Sequence, residues 1–463
     1  MSFKDDYNKF QEMEEKLDLF NKVICGEKFW SLIRFQIYSS TFGRSSSTVS
    51  TSAGKAGLGR LKRFIFSIFR WTRNPLLARK SQILFIFPGR RVLEKDGLWW
   101  DIYSDPIINN VEFSKTAIES PYKNKHYRPA ITDGLRYTDL IEFLTLLKRK
   151  LGLAKIEFKQ SELQLFTIIR NEIKVRYDVD VNVRSITRRV LEDRKARLPL
   201  YKRMINKIQP RIVVLAQGYG YEDLIEACNE LRIPTVELQH GAINAYHVGY
   251  SFAGKIGIKK NFPDYVLTWG DYWSSAAEFP AEKSRIISVG FPYIESKKNL
   301  VSNKKKQIVF ISQETIGVAL SMFAKDLSEN VDLGYRIVYK LHPHERADWK
   351  IRYPWLVNSE IKVIDQPEIL LHDLFAESTI QIGVYSTALF EGLAFGLRTF
   401  LVDTKGVEVM ESLLSGGLVK KVSSADDLLR QIKETEPSAA FDYEYFFKSN
   451  ALENISEFLD RFL

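Results

Sequence analysis

From residue 211 to residue 402 the chain alternates short apolar segments with segments of helical spacing, and this alternation constrains the fold most strongly. The apolar segments are rich in Val, Ile and Leu, as at 211–216, 235–238 and 380–384, and an earlier one lies at 82–87. Short, continuously apolar strands separated by helices are typical of parallel sheets covered on both faces. The pattern therefore predicts an α/β fold.

The length of the chain predicts more than one domain, because 463 residues exceed what a single hydrophobic core usually holds. A basic run at 303–306 precedes a fresh strand and marks a boundary. We divide the chain into a helical N-terminal segment (1–43), a flexible linker with a basic amphipathic segment (44–80), an N-terminal Rossmann-like domain (81–302), a C-terminal Rossmann-like domain (303–440) and a terminal helix (441–463).

Composition indicates an ordinary globular protein, with 45% hydrophobic and 27% charged residues. The two cysteines, Cys25 and Cys228, lie far apart and lack metal-ligand spacing, so we expect neither a disulfide framework nor a structural zinc site. The N-terminus lacks the apolar run of a signal peptide, and no apolar stretch approaches bilayer length. We therefore expect a cytoplasmic protein.

The net charge of +10 is concentrated in two runs. Residues 55–80 carry Lys and Arg without any acid, interleaved with Phe, Ile, Leu and Trp, which is typical of a segment that lies in an anionic membrane interface. A basic helix packed on the core is the alternative. The second run, 188–211, suits a membrane-facing surface or a funnel for anionic ligands. Nucleic acid is not expected as a partner, since no zinc finger, RRM-like or helix-turn-helix signature occurs.

Two strand ends in the C-terminal half carry residues suited to binding an anion. One predicted strand runs into Lys-x-His-Pro, which leaves Lys340 and His342 at its carboxyl end, where open α/β sheets bind ligands. A second is followed by Ser386 and Thr387 at the start of a helix, whose amides and dipole favour negative charge. Together they predict a diphosphate site. The alternative is an ordinary strand–helix unit with a chance Lys-x-His-Pro.

These two motifs resemble the donor site of bacterial GT-B glycosyltransferases of the sialyl-, polysialyl- and Kdo-transferase type, and that of the CDP-glycerol glycerophosphotransferases of teichoic acid synthesis. The resemblance implies two Rossmann-like domains facing a cleft, with the acceptor in the N-terminal domain and the donor in the C-terminal one. It implies that the terminal helix crosses back onto the N-terminal domain. It also implies that His342, Lys340, Ser386 and Thr387 hold the donor phosphates and that Glu391 binds a donor hydroxyl.

A third strand end, Gln239-His240-Gly241, supplies a candidate base. Histidine suits this role because its unperturbed pKa lies near operating pH, and Gly241 permits a tight turn or a close approach to a ligand. The glycerophosphotransferases that the chain resembles carry a His-Gly at a matching place, where the histidine is the base. This chain departs from their Trp-His-Gly-Thr-Pro context, having Gln239 before and Ala-Ile-Asn after. A turn histidine bonded to backbone is the alternative.

An aromatic loop after the first strand supplies reserve candidates. Trp99 and Trp100 stand beside Asp101 and Asp105, and aromatic faces beside carboxylates suit a sugar acceptor. We therefore assign Trp99 and Trp100, with Gln239 and Gly241, to the acceptor side and keep Asp101 as a reserve base. A packed loop without such a role is the alternative.

The combined prediction is an inverting glycosyltransferase of bacterial surface glycans, working peripherally at the inner face of the membrane. It would use a nucleotide-sugar donor, with CMP-linked Kdo or sialic acid as first choice, and a glycan or lipid-linked acceptor. No cofactor or metal is expected, because Lys340, His342 and helix N-termini can neutralise the leaving phosphate. The alternatives are a CDP-glycerol or CDP-ribitol transferase, a UDP-sugar epimerase of the same architecture, and a non-catalytic glycan-binding subunit.

Overall fold

The computed structural model describes residues 2–42, 71–252, 260–298, 304–329, 334–434 and 439–463. The chain divides into two compact units, which we treat separately. The N-terminal unit comprises residues 6–91, 98–289 and 450–463, and the C-terminal unit comprises residues 1–5, 92–97 and 290–449. The division between the sheets falls at 290, whereas the sequence placed a boundary at 303.

The regular elements are numbered in chain order. The strands are β1 (Ile83–Pro88), β2 (Val92–Leu93), β3 (Trp99–Trp100), β4 (Lys115–Ser120), β5 (Arg136–Tyr137), β6 (Ile212–Leu215), β7 (Thr235–Leu238), β8 (Tyr265–Thr268), β9 (Ile286–Ser288), β10 (Gln307–Ile311), β11 (Arg336–Lys340), β12 (Lys362–Ile364), β13 (Ile380–Gly383), β14 (Arg398–Val402) and β15 (Lys420–Val422). The helices are α1 (Phe3–Lys16), α2 (Trp30–Thr41), α3 (Asp105–Asn110), α4 (Asp139–Lys150), α5 (Gln160–Tyr177), α6 (Val183–Ile208), α7 (Glu222–Glu230), α8 (Asp271–Ser274), α9 (Pro292–Lys297), α10 (Gly317–Ser328), α11 (Trp349–Arg352), α12 (Leu371–Glu377), α13 (Thr387–Ala394), α14 (Glu411–Ser415), α15 (Ala425–Lys433), α16 (Tyr443–Phe446) and α17 (Ala451–Asp460).

Each unit is built on a parallel sheet, which confirms the predicted α/β class with two Rossmann-like sheets. In the N-terminal unit the strand order is β5-β4-β1-β6-β7-β8-β9, and in the C-terminal unit it is β12-β11-β10-β13-β14-β15. In both sheets the first strand, β1 or β10, lies in the interior. The next two strands are added on one side of it and the remaining strands on the other side. This is the arrangement of doubly wound nucleotide-binding folds.

The sheet of the N-terminal unit is covered on both faces, which explains why β1 is apolar throughout. Ile83 and Phe85 pack in one cluster with residues of α17, including Ile455 and Phe458. Alternate residues such as Leu84 pack in a second cluster with α6 and α7. Because side chains alternate between the two faces of a strand, a strand buried on both faces has to be apolar at every position.

The predicted helical segment 1–43 contains two helices, α1 and α2, separated by a turn. From residue 6 onward it packs within the N-terminal unit through Tyr7, Phe10, Trp30 and Ile33, all of which are buried in one cluster with residues of α5 and α6. The segment therefore contributes to the core of this unit.

The stretch 90–135, where the sequence indicates short strands and turns, contains the six-residue strand β4, which pairs in parallel with β1. Two sequence predictions need correction. The stretch 441–463, expected to be one helix, contains the separate helices α16 and α17. Residues 71–80 form two 3₁₀ turns, Trp71–Arg73 and Pro75–Leu77, and not a continuing amphipathic helix. The rest of the predicted basic segment and the linker, 44–70, lie outside the described residues. In the described ranges, no helix combines the length and the apolar character that a membrane span requires.

Candidate functional site

In both sheets the strand order reverses beside the first strand, between β1 and β6 in the N-terminal unit and between β10 and β13 in the C-terminal unit. Open parallel sheets bind ligands at the carboxyl ends of the strands next to such a point. His240 follows β7, His342 follows β11 and Ser386 follows β13, all of which lie at or next to these reversals, and each unit holds its own group of predicted site residues.

His240 lies just past the carboxyl end of β7, in the N-terminal unit. Its Nε2 is 2.9 Å from the hydroxyl oxygen of Tyr219, which follows the neighbouring strand β6. Its Nδ1 is 3.2 Å from the hydroxyl oxygen of Tyr250. The side chain retains 11% exposure, so one edge of the ring reaches solvent. Both ring nitrogens are therefore engaged by phenols, and not by backbone alone.

A buried carboxylate stands behind this histidine. Glu237, on β7, is fully buried, and its Oε1 lies 3.6 Å from Nδ1 of His240 and accepts a hydrogen bond from the Tyr250 hydroxyl. Its Oε2 has no hydrogen-bond partner among the described residues. Gly218 makes room for the carboxylate, because a Cβ at that position would overlap Oε2. The sheet thus buries an incompletely satisfied carboxylate next to His240.

Burial moves the pKa values of this group in opposite directions. Desolvation raises the pKa of Glu237 to about 7. Desolvation, together with the positive charge of Arg90 and with His247, lowers the pKa of His240 to about 3. His247 is itself lowered to a pKa of about 4 by burial. At neutral pH the His240 imidazole is therefore uncharged, while Glu237 titrates.

These contacts determine which nitrogen of His240 carries the proton. The Tyr250 hydroxyl has one proton, which it donates to ionised Glu237, so its oxygen is left as an acceptor. Nδ1–H of His240 then donates to that oxygen, and Nε2 keeps the lone pair that faces Tyr219. A chain of donations runs from His240 through Tyr250 to Glu237, and Nε2 is the basic atom.

The loop that carries Tyr250 is held by the two N-terminal helices. Arg34 of α2 is buried and forms a bidentate pair with Glu14 of α1, with Nε–Oε1 at 2.6 Å and Nη2–Oε2 at 2.9 Å. Its Nη1 donates to the carbonyl oxygens of Val248 at 2.6 Å and Ser251 at 2.8 Å. The predicted N-terminal segment therefore fixes the backbone on both sides of Tyr250.

Gln239 and Gly241, assigned to the acceptor side, shape the turn. The Gln239 amide donates to the carbonyl oxygen of Gly241 at 2.9 Å and accepts from the Trp269 amide at 2.8 Å. Gly241 is not among the glycines with positive φ, so the turn does not require a glycine on conformational grounds. Both residues thereby help to orient His240, and a direct role for them with an acceptor stays a prediction.

Trp99 and Trp100 are half-buried and form the short strand β3 within the loop that follows the first strand. The Trp99 ring lies against Tyr127, with centroids 4.6 Å apart. The aromatic residue of this loop that reaches His240 is Tyr103, whose ring meets the imidazole edge-on at 6.3 Å. The acceptor role of the two tryptophans stays a prediction.

Asp101, the reserve base, is 1% exposed. Its Oδ1 accepts the Ser104 amide at 2.9 Å, at the start of α3. Burial, and then the neighbouring charge of Asp105, raise the pKa of Asp101 to about 7. Asp105 is itself paired with Arg91 at 2.6 Å. Its Oδ2 has no hydrogen-bond partner among the described residues, and its role as a reserve base stays a prediction.

In the C-terminal unit, a second buried glutamate organises the end of β11. The His342 amide donates to Oε2 of Glu345 at 2.7 Å. Oε1 of Glu345 accepts from the Ser312 hydroxyl at 2.9 Å and from the Tyr353 hydroxyl at 2.5 Å. A Cβ at Gly317 would overlap both Tyr353 and Glu345, so a glycine is needed there. Glu345 thereby joins the loop after β10 to the Lys-x-His-Pro turn.

Ser386 and Thr387 follow β13 and begin α13. The Ser386 hydroxyl accepts from the Ala388 amide at 3.3 Å, as a helix N-cap does, and both residues are half-buried. Because β11 and β13 pair with opposite edges of β10, His342 and Ser386 stand on either side of the same strand end. The two predicted anion-binding elements therefore flank β10.

Lys340 and Glu391 are engaged inside the unit. The Lys340 ammonium, buried, donates to the carbonyl oxygens of Ile369 at 2.6 Å and Gln366 at 3.5 Å. Desolvation, followed by the charge of Arg346, lowers the pKa of Lys340 to about 8. Oε2 of Glu391 lies 2.7 Å from Nε2 of the buried His372. Their donor-binding roles stay predictions, and each would have to share its present partner.

Sequence reasoning missed Glu237, Tyr219 and Tyr250 around His240, and Glu345 beside His342. Glu237 did carry a signal, because it is a charged residue inside an otherwise apolar strand. The tyrosines and Glu345 lie in loops, where the sequence alone does not indicate a partner. Among the residues that the structure describes, no group of three or more His, Cys, Asp or Glu side chains is arranged to hold a metal ion.

No protein-family model matches this chain. No curated protein sequence matches it either. Among solved structures it is similar to UDP-GlcNAc 2-epimerase from Methanocaldococcus jannaschii, with 12% identity and a TM-score of 0.48 over 82% of this chain and 99% of that one. The Neisseria meningitidis UDP-GlcNAc 2-epimerase bound to UDP-GlcNAc gives the same values. The wall teichoic acid polymerase TagF is similar with 12% identity and a TM-score of 0.45, over 87% of this chain and 96% of that one. Similarity at this level assigns no function, which has to come from the site.

Proposed function

We propose that this protein is a GT-B-type inverting glycosyltransferase that transfers a sugar from a nucleotide-sugar to a hydroxyl group of a bacterial surface glycan or lipid-linked acceptor. The observation that supports this proposal most is the hydrogen-bonded series His240–Tyr250–Glu237 at the carboxyl end of β7. It provides an uncharged imidazole whose Nε2 lone pair is free to take an alcohol proton, and a buried carboxylate placed to stabilise the cation that results.

In the proposed step the acceptor hydroxyl gives its proton to Nε2 of His240. The acceptor oxygen forms a bond to the anomeric carbon from the face opposite the leaving group. The bond between that carbon and the phosphate oxygen breaks, and its electron pair leaves with the nucleotide. The configuration at the anomeric carbon is thereby inverted.

Glu237 lowers the cost of this step. A proton on Nε2 makes the imidazole cationic in a poorly solvated place, as its depressed pKa indicates. The ionised carboxylate of Glu237 lies 3.6 Å from Nδ1 and stabilises that cation directly and through Tyr250. We expect the acceptor hydroxyl to occupy the position that the Tyr219 hydroxyl now takes, 2.9 Å from Nε2.

In this proposal, the C-terminal unit binds the donor. The hydroxyls of Ser386 and Thr387, the amides that open α13 and the imidazole of His342 supply hydrogen-bond donors for the phosphates. Glu345 holds the His342 amide and so fixes the turn that presents this imidazole. Lys340 adds positive charge from behind, and Glu391 is our candidate for a donor hydroxyl. A cytidine nucleotide is our first choice of donor, because Lys-x-His-Pro and the serine element resemble those of cytidine-nucleotide users.

The experiment is a thermal-shift titration of the full chain with CMP, CDP, UDP, dTDP and GDP. A nucleotide that binds only the folded state adds about 2.7 kcal/mol of stability at a hundredfold excess over its Kd. We expect one nucleotide class to raise the melting temperature and the shift to disappear in His342→Ala and Ser386→Ala.

Ser424→Ala is the matched control. Ser424 also caps a helix of the C-terminal unit, accepting from the Asp427 amide at 3.1 Å. Loss of either cap should cost about 1 kcal/mol of stability, but the Ser424 variant should keep the nucleotide shift. Absence of a shift with every nucleotide, or its loss in the Ser424 variant as well, would contradict the proposed donor site.

A further inference from the structure

The turn that follows α4 exposes two large apolar side chains to solvent. Leu151 is 63% exposed and Leu153 is 69% exposed, and Leu147, one turn earlier on the helix, is 38% exposed. Isolated exposed leucines are common, but two that flank one glycine at the tip of a turn form a compact apolar point. We name residues 151–153 the leucine turn.

The backbone of the leucine turn has a common helix C-terminal conformation. The orientation of the Leu153 side chain is unusual for that conformation. The Leu153 amide donates to the carbonyl of Lys148 at 2.9 Å and the Gly152 amide to that of Arg149 at 3.0 Å, with Gly152 at φ +72°. These are the two hydrogen bonds of a Schellman motif. In that motif an apolar residue at the position of Leu153 usually packs back on the helix, whereas here it points outward.

Helix α6 holds the turn in place. Arg188 donates to the carbonyl of Ile156 at 2.8 Å, and Lys195 donates to that of Lys155 at 3.1 Å. Arg149 at the end of α4 pairs with Asp193 of α6 at 3.1 Å. The exposed leucines therefore stand on an ordered support and need no rearrangement to meet a partner.

The leucine turn is surrounded by positive charge. Lys148 and Lys150 precede it, Lys155 follows it, and Lys195 of α6 lies against the backbone of Lys155. The acids that face this group are Glu157, 3.1 Å from the Lys155 ammonium, and Asp193, paired with Arg149. Residues 148–156 contain four Lys or Arg and no acid. Exposed apolar side chains flanked by lysines suit a surface that has anionic groups on the outside and an apolar layer below them.

We propose that the leucine turn inserts Leu151 and Leu153 into the interface of an anionic lipid bilayer, with Lys148, Lys150, Lys155 and Lys195 on the headgroups. Apolar side chains gain by entering the acyl boundary, and each lysine gains from the negative surface potential. The inference concerns residues outside the basic segment 55–80 and does not depend on the proposed transferase activity.

The test places an environment-sensitive fluorophore at the turn in the full-length chain. In a Cys25→Ser background, Leu153→Cys provides the labelling site, because Cys228 is fully buried. Vesicles of phosphatidylglycerol and phosphatidylcholine should shift the emission to the blue, and vesicles of phosphatidylcholine alone should leave it nearly unchanged. Because the label reports only on the turn, lipid binding by any other segment does not produce the signal.

Val175→Cys in the same background is the matched control. Val175 is 84% exposed and lies on α5, the helix that follows the leucine turn in the chain. It is about 20 Å along that helix from the first residue, Gln160. Its label should not respond to either vesicle. In the protein labelled at Leu153→Cys, the further change Leu151→Ser should lower the vesicle affinity of the turn on the order of tenfold, while Val175→Ser should leave it unchanged.

Three outcomes would overturn the proposal. The Leu153 label fails to respond to anionic vesicles, or both labels respond equally. Alternatively, the emission shifts with protein concentration in the absence of vesicles, which would assign the turn to contact between copies of this chain. Thermal melting of each variant checks folding, and we expect no change because the substituted leucines are exposed.

Discussion

Each of the two units buries a glutamate beside the histidine that follows one of its strands. In both cases a glycine makes room for the carboxylate, Gly218 for Glu237 and Gly317 for Glu345. The hydrogen bonding differs. Glu345 accepts three hydrogen bonds, including one from a main-chain amide. Glu237 accepts one from Tyr250, and its Oε2, which lies beside the main chain of Gly218, has no partner in good hydrogen-bond geometry among the described residues.

The difference separates a structural carboxylate from a reactive one. A buried carboxylate whose oxygens are filled by donors fixes the loops that supply them, as Glu345 does for His342. A buried carboxylate with an unfilled oxygen is destabilised in its charged form, which is why burial raises the pKa of Glu237 to about 7. Such a group gains most when a positive charge forms beside it, and His240 is placed to form one.

The largest expected effect is that of His240→Ala on transfer. Removal of a general base lowers turnover by about 10² to 10⁴-fold. Because His240 belongs to the N-terminal unit, the nucleotide-induced thermal shift should persist. Turnover is measured by the release of product from a radiolabelled donor. The thermal shift is measured by the nucleotide titration of the proposed function.

Tyr219→Phe is the matched control for that variant. It removes the hydroxyl that now faces Nε2 and keeps the ring, so turnover should fall by no more than about threefold. Equal losses in the two variants would argue that the acceptor proton reaches Nε2 through the Tyr219 hydroxyl, which accepts it and gives its own proton to the imidazole, and not directly.

The second effect is on stability and concerns Glu345. Glu345→Ala leaves the Ser312 and Tyr353 hydroxyls and the His342 amide without their acceptor, so unfolding should become easier by about 3 kcal/mol. Glu345→Gln should cost less, because hydroxyls can turn to accept from the new amide group. Denaturant unfolding of both variants shows whether Glu345→Ala loses more stability than Glu345→Gln. If the alanine variant is as stable as the wild type, Glu345 does not have the structural role that distinguishes it from Glu237.

The third effect is on the pH dependence of transfer. His240, with a pKa near 3, stays neutral above about pH 5, so the acidic limb of the rate profile should follow Glu237 instead. The rate should rise with pH and be half-maximal near pH 7, as the carboxylate ionises. In Glu237→Gln the limb should vanish and the rate at pH 8 should fall about 10 to 100-fold. A Gln variant that keeps the wild-type limb would exclude Glu237 as the titrating group.

The strands that could be predicted were those with continuous apolar character. β7 has the predicted bounds, 235–238, and all four of its residues are buried, although Thr235 and Glu237 are polar. β4 was missed because Lys115, Thr116 and Glu119 interrupt it. Glu119 is tolerated in that buried position by its pairs with Arg91 and His126, both 2.6 Å away.

The site was predictable only where a residue sits in a short motif. His240 and His342 follow strands directly, so their positions at a strand end could be read from the sequence. The groups that set their chemistry come from elsewhere in the chain. Tyr219 belongs to the preceding strand end and Tyr250 to a loop fixed by Arg34, and Glu345 gains its partners from two other loops. Such contacts depend on loop conformation, which periodicity does not encode.

The last effect concerns how the free energy of unfolding depends on pH, and it distinguishes Glu237 from Glu345 most directly. The unfolded state ionises a glutamate near its ordinary pKa of about 4.3, whereas folded Glu237 ionises near 7. Between these values the folded state binds more protons, so the contribution of Glu237 to stability falls as pH rises and is lowest above pH 7. Glu237→Gln, which is uncharged at every pH, should therefore be more stable than wild type by roughly 2.5 kcal/mol at pH 8 and equal to it near pH 5.

Glu345→Gln should have the opposite effect on stability, because an amide group replaces one of the acceptor oxygens that three donors occupy, and it should destabilise the protein at both pH values. Denaturant midpoints at pH 5 and pH 8 measure both variants. A stabilised but slow Glu237→Gln protein would mean that the N-terminal unit keeps a destabilised carboxylate for its chemistry. A Glu237→Gln protein that is destabilised at pH 8 would place Glu237 with Glu345 as a structural residue and leave His240 without its proposed counter-charge.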